Sequence, residues 1–77
     1  MPEKQVSELG YVLKKYRLTH GLTQKGMGVM LGVSRNSIYN WETSANKPAV
    51  GVMWEIAKLL DISLADVQVM AERPLLR

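Results

Sequence analysis

The sequence predicts an all-α fold, a compact bundle of five short helices. Three observations point to it. Apolar residues recur at three- and four-residue intervals along the chain, and no segment alternates in the manner of a strand. Small polar residues precede several of these apolar runs, as helix N-caps do. Gly and Pro break the pattern at short intervals. A chain of 77 residues has room for one domain, spanning 1–77 with a core over about 7–70 and a short tail over 71–77.

Helix one carries apolar residues at 6, 9, 12, 13 and 16; Ser7 caps it, or it starts nearer Pro2. His20-Gly21 ends it, with Gly supplying a left-handed turn. Thr23 caps a second, short helix through Leu31, with Met27, Met30 and Leu31 as its inward stripe. Gly26 and Gly28 lie inside it, each costing about 1 kcal/mol relative to Ala. This predicts a soft helix two, so that the third helix, which it braces, settles fully only when the protein is bound to its target. Gly32 terminates it, and Ser34 opens a third helix reaching Thr43, with Ile38 and Trp41 inward. The loop TSANKP follows, then a fourth helix from about Ala49 to Leu60. Ser63, with Asp66 three residues on, starts a fifth helix with Leu64, Val67 and Met70 inward, and the tail breaks at Pro74. The methionines at 27, 30, 53 and 70 read as core filler.

Composition excludes several classes of function. There is no Cys and a single His20, so no thiolate or histidine metal site can be built, and no metal or cofactor is expected. One His and no paired carboxylates beside a nucleophile leave no catalytic constellation, so an enzyme is not expected. No run approaches the ~18 apolar residues of a membrane span. The start MPEKQVSELG lacks the apolar run of a secretory signal, so a cytoplasmic protein is expected. Common RNA modules stack bases on aromatic side chains, and this chain has no Phe and few Tyr. Charge is segregated. Lys14, Lys15, Arg17, Lys25, Arg35 and Lys47 face one acid, Glu42, within 14–47, a net +5; the remainder carries −2. A localised basic surface is the footprint of a polyanion binder, although solubilising surface charge gives the same count.

The turn Leu31-Gly32-Val33-Ser34 joins two short helices with the spacing of a helix-turn-helix. In that motif the first helix braces the second, which enters a major groove about 12 Å wide. A generic helical hairpin also fits the turn alone. The wider pattern is more specific: Leu13, Arg17, Gly21-Leu22-Thr23-Gln24, Met27-Gly28, Leu31-Gly32-Val33-Ser34, Ile38, Trp41-Glu42, Pro48, Ala57, Leu60 and Ser63-Leu64. These residues resemble the phage repressor and Cro type of helix-turn-helix family, also called the xenobiotic-response-element type. The resemblance implies a lambda-repressor-like DNA-binding fold and sequence-specific binding of double-stranded DNA. It also implies that Arg17 and Glu42 form an ion pair tying helix one to the end of helix three. The chain departs from the family in having Met27-Gly28 for Leu-Ala. It also has Thr43-Ser44 where Asn-Gly often follows the Glu, which predicts a turn of different shape.

Arg35, Asn36 and Asn40 lie on the outward face of helix three, flanked by Ser34, Ser37 and Tyr39. Arg bonds guanine and Asn bonds adenine bidentately, each worth about 1–3 kcal/mol of discrimination. Positions matching Arg35, Asn36 and Asn40 read bases in the family this chain resembles. Ser34 and Tyr39 complete the candidate base-reading set, Tyr39 being open between a thymine methyl, a phosphate and packing at the domain edge. Gln24, at the start of helix two, together with Lys25, Ser37, Ser44, Asn46 and Lys47, makes up the candidate phosphate contacts, which fix register rather than read sequence.

Helix four has more apolar surface than one face needs. Val52, Trp54 and Leu59 are the candidate dimer or partner surface, unless helix five and the tail cover them. A homodimer would set two reading helices about 34 Å apart on a palindromic operator. The expected function is a transcriptional regulator of bacterial or phage type, a repressor. The alternative is an antitoxin or adaptor that binds a protein partner through helix four and the C-terminal tail.

Overall fold

The computed structural model describes residues 6–75. Five helices follow in order: α1 (Glu8–Thr19), α2 (Gln24–Leu31), α3 (Arg35–Glu42), α4 (Val50–Leu60) and α5 (Leu64–Glu72). Four of them start for the same local reason. Ser7, Thr23, Ser34 and Ser63 hold extended backbone, and each side-chain oxygen accepts the amide of the residue three positions on. Such a cap is worth about 1 kcal/mol. The fifth, α4, has Ala49 as its N-cap and no side-chain cap bond. Its start is set by the buried Pro48 just before it, and its stability by the burial of Met53, Ile56 and Ala57. The start of helix one that sequence places near Pro2 lies outside the described residues.

The core gathers Leu9 and Leu13 of α1, Met27 and Leu31 of α2, Ile38 and Trp41 of α3, Met53, Ile56 and Ala57 of α4, and Val67 and Ala71 of α5. Every helix therefore contributes. α3 packs between α1 and α2, while α4 and α5 support α2 and α1 from behind. One expected core residue is not there. Met30 is 49% exposed. Gly28 joins Met27 and Leu31 on the buried arc of α2, which turns that arc toward α3 and leaves Met30 outside it.

The chain ends meet. Ser7 and Pro74 form an antiparallel bridge, Leu75 N donates to Val6 O at 2.9 Å, and Glu8 N donates to Arg73 O at 2.8 Å. The Arg73 guanidinium closes on the Glu8 carboxylate at 2.6 Å. The described part of the tail thus runs beside the start of α1. Leu76 and Arg77 lie outside the described residues.

Candidate nucleic-acid interface

The geometry of α3 begins at its joint with α2. Gly32 takes the left-handed conformation, φ 72°, and ends α2. Val33 N then donates back to Gly28 O at 2.8 Å. The approach is so close that a β-carbon at Gly28 would stand 2.6 Å from Val33 O. Only Gly fits there, so this residue is a packing requirement. Ser34 caps α3, and its hydroxyl also meets that of Ser37 at 3.1 Å.

From this joint α3 divides by face. Ile38 and Trp41 are buried. Ser34, Arg35, Asn36 and Tyr39 are exposed, and Ser37 and Asn40 are half-buried. Within the described residues, the side chains of Arg35, Asn36, Tyr39 and Asn40 make no hydrogen bond to the protein.

At the far end of α3 the helix is anchored by charge. Glu42 is buried, its side chain 3% exposed. Arg17 Nε donates to Glu42 Oε2 at 2.7 Å and Arg17 Nη2 to Oε1 at 3.0 Å. Gln24 Nε2 adds a third bond at 3.3 Å. Arg17 Nη1 donates to Leu22 O at 3.1 Å, so the guanidinium ties α1, α3 and the turn before α2 together. The side-chain hydrogen bond to Glu42 holds the Arg17 pKa above its already high ordinary value, against the opposing effect of burial. A group raised in this way stabilises the fold below its unfolded-state pKa and loses that contribution only in strong alkali.

The sequence profile of the helix-turn-helix family matches residues 13–67. This chain belongs to the helix-turn-helix family. An HTH-type transcriptional regulator of Methanocaldococcus jannaschii, itself uncharacterized, is 36% identical over 55 residues, spanning 71% of this chain and 83% of that protein. A second, putative HTH-type transcriptional regulatory protein of that organism is 38% identical over 55 residues, but those cover 17% of its length. Among solved structures, the P22 c2 repressor protein in complex with a synthetic operator superposes with a TM-score of 0.67 and 27% identity. It covers 77% of this chain and 89% of that one.

The other candidate residues differ in their surroundings. Lys25 and Asn46 are exposed, and their side chains have no hydrogen-bond partner within the described residues. Gln24 precedes Lys25 but turns its amide to Glu42. Lys47 is paired with Glu72 of α5 at 2.5 Å, both side chains in solvent. The Ser44 hydroxyl is engaged within the protein, accepting Ser7 N at 2.8 Å and donating to Ser7 Oγ at 3.2 Å.

The surface expected on α4 is narrower than the sequence suggests. Val52 and Leu59 are partly buried against the core. Trp54 is 53% exposed, and Val50, four residues earlier on the same face, is also exposed. The described tail runs along α1, where Pro74 pairs with Ser7.

Sequence reasoning missed two features, the Ser7–Ser44 contact and the pairing of the chain ends. The first joins residues 37 apart and the second, Arg73 to Glu8, residues 65 apart. Neither leaves a local pattern in the chain.

Proposed function

We propose that this chain is a transcriptional regulator that binds double-stranded DNA and reads a short sequence by placing α3 in the major groove. The observation that carries this reading is the outward face of α3, with Arg35, Asn36 and Asn40 unbonded above a buried Ile38–Trp41 anchor. Arg35 and Asn36, in the first turn, and Asn40, one turn on, meet base edges. Ser34 and Tyr39 flank them. Lys25, Ser37 and Asn46 contact phosphates, and Gln24 and Lys47 join them by exchanging their carboxylate partners for the backbone. Helix two's amides, presented at its N-terminus, favour the same anion.

The likeness to a repressor that carries a synthetic operator supports repression by occupancy, with the bound protein excluding polymerase. A homodimer on a palindromic site would set two α3 helices about one DNA turn apart. Trp54 is the candidate centre of its interface.

Selection from a random duplex library at two salt concentrations tests the reading. A short motif recovered at both, with palindromic symmetry, is the expected result. Weak binding that is blind to sequence and vanishes with salt would sink it.

The exposed Trp54–Val50 pair also favours a second reading, an antitoxin or adaptor that binds a protein through α4. The two are separated by purification from the native source. A stable heteromeric complex whose formation is abolished by Trp54→Ser, with no motif recovered from the library, would establish the second over the first.

A further inference from the structure

Ser44 follows the Thr43 C-cap of the reading helix, and its backbone lies in the left-handed region at φ 61°. That conformation disfavours any residue with a β-carbon. Gly would adopt it freely, so a Ser here needs a reason, and the structure supplies one. The Ser44 hydroxyl accepts the backbone amide of Ser7 at 2.8 Å and donates to the Ser7 hydroxyl at 3.2 Å. Ser7 is itself fixed. It caps α1 through Gly10 N at 3.0 Å and bridges to Pro74. Gly10 admits the end of α3 so closely that a β-carbon would lie 2.6 Å from Trp41 O and 3.1 Å from Ser44 Oγ. The hydroxyl therefore sits in a confined seat between the start of α1 and the end of α3.

We propose that Ser44 is a positioning residue: its hydroxyl, seated on Ser7, fixes the loop 44–47 that leaves the reading helix and aims that loop at the DNA backbone. The inference rests on the DNA-binding reading above. Ala45 N, next in the chain, donates to Asn40 O at 2.8 Å, so the seat of Ser44 also sets the register of the loop on the last turn of α3. Asn46 and Lys47 follow within two and three residues. Ser44 touches no nucleic acid itself.

Two substitutions separate this role from general stability. Ser44→Ala removes the hydroxyl and keeps the strained β-carbon. Ser44→Gly removes both, so it relieves the backbone while cutting the tie. Three quantities are measured on the full chain: thermal midpoint, amide exchange at Ser7, Ala45 and Asn46 in the free protein, and affinity for the duplex motif recovered from the library. Both variants should exchange faster at Ser7 and Ala45. Both should bind that duplex about fivefold more weakly, because the loop that the hydroxyl no longer holds must then be ordered on binding. Ser44→Gly should do so with a thermal midpoint above that of Ser44→Ala, because it relieves the backbone, so that equal losses of affinity accompany unequal stabilities, an outcome that a merely stabilising role would not produce.

Unchanged exchange at Ala45 and Asn46 in both variants would overturn the proposal, whether or not DNA is bound. Faster exchange with wild-type affinity would also overturn it, because the loop would then be seated without serving binding. If the wild type itself recovers no duplex motif, the DNA-binding reading fails and takes the binding half of this proposal with it. That failure shows in the wild type alone and is not confused with a failure of Ser44.

Discussion

The two ends of α3 are held by different physics. At its leading end, backbone presses on backbone: Gly28 against Val33 O, with Gly32 turning the chain between them. At its trailing end, the contacts are polar: Glu42 receives Arg17 and Gln24, and Ser44 sits on Ser7. A steric joint transmits position stiffly and fails when volume is added. A polar joint fails when one partner is removed and the other is left buried. A helix that must present Arg35 and Asn40 at fixed spacing is thus braced against sliding at one end and against swinging at the other.

The largest effect is expected at the polar joint. Arg17→Met should strand the Glu42 carboxylate, which is nearly all buried, with Gln24 as its one remaining donor among the described residues. Breaking a buried ion pair by removing one partner costs 3–5 kcal/mol, and the remaining Gln24 bond places this case near the low end, about 3 kcal/mol. Urea unfolding measures it. Arg17→Met combined with Glu42→Leu removes both charges and should recover most of the loss, since an apolar pair of similar volume is often neutral. If the double variant is as unstable as the single, the joint is held by shape after all, and the contrast between the two ends disappears.

The steric joint should fail by less. Gly28→Ala gains about 1 kcal/mol of helix propensity but drives a methyl to within 2.6 Å of a backbone oxygen that cannot rotate away. Overpacking costs about 1–3 kcal/mol, and against a backbone oxygen the upper part of that range applies, so a net loss approaching about 2 kcal/mol is expected. The loss should come with a displaced α3, seen as weaker duplex binding at temperatures where the variant is folded. A variant of unchanged stability and affinity would show that this joint yields, and would leave the polar end as the only real anchor.

The leading joint was legible in the sequence and the trailing joint was only half so, for a physical reason. Turn chemistry is local. Gly32, Ser34 and the small residue at 28 stand within seven positions of one another and announce a helix, a turn and a helix. Three helix starts are legible in their caps Thr23, Ser34 and Ser63 in the same way, the first is open between Ser7 and Pro2, and α4 has no side-chain cap and is marked by Pro48. The Arg17–Glu42 pair was reached through the family resemblance, and a spacing of 25 residues has no local signature. The Ser7–Ser44 tie was not reached at all: a Ser after a helix reads as a loop residue, and only its positive φ and its partner give it a task. Met30 failed in the opposite direction. Helical spacing put it inward, but Gly28, with no side chain to signal burial, shifted the buried arc of α2.

The smallest effect concerns the other glycine of α2, and it distinguishes packing from softness. Gly26 is not pressed on any backbone: a β-carbon there would meet the Thr23 hydroxyl at 3.2 Å and otherwise only the Leu22 side chain. Gly26→Ala should therefore keep part of the helix-propensity gain, about 0.5 kcal/mol, with the rest spent in shifting the Thr23 cap by a few tenths of an ångström. The brace should stiffen along its whole length. Amide exchange from Met27 to Leu31 should slow in the free protein, while duplex affinity rises slightly because less ordering remains to be done on binding. If exchange in α2 is already as slow in the wild type as in Gly26→Ala, softness was never a property of this helix. The contrast between the two glycines would then be one of space alone, with Gly28 obligatory and Gly26 incidental.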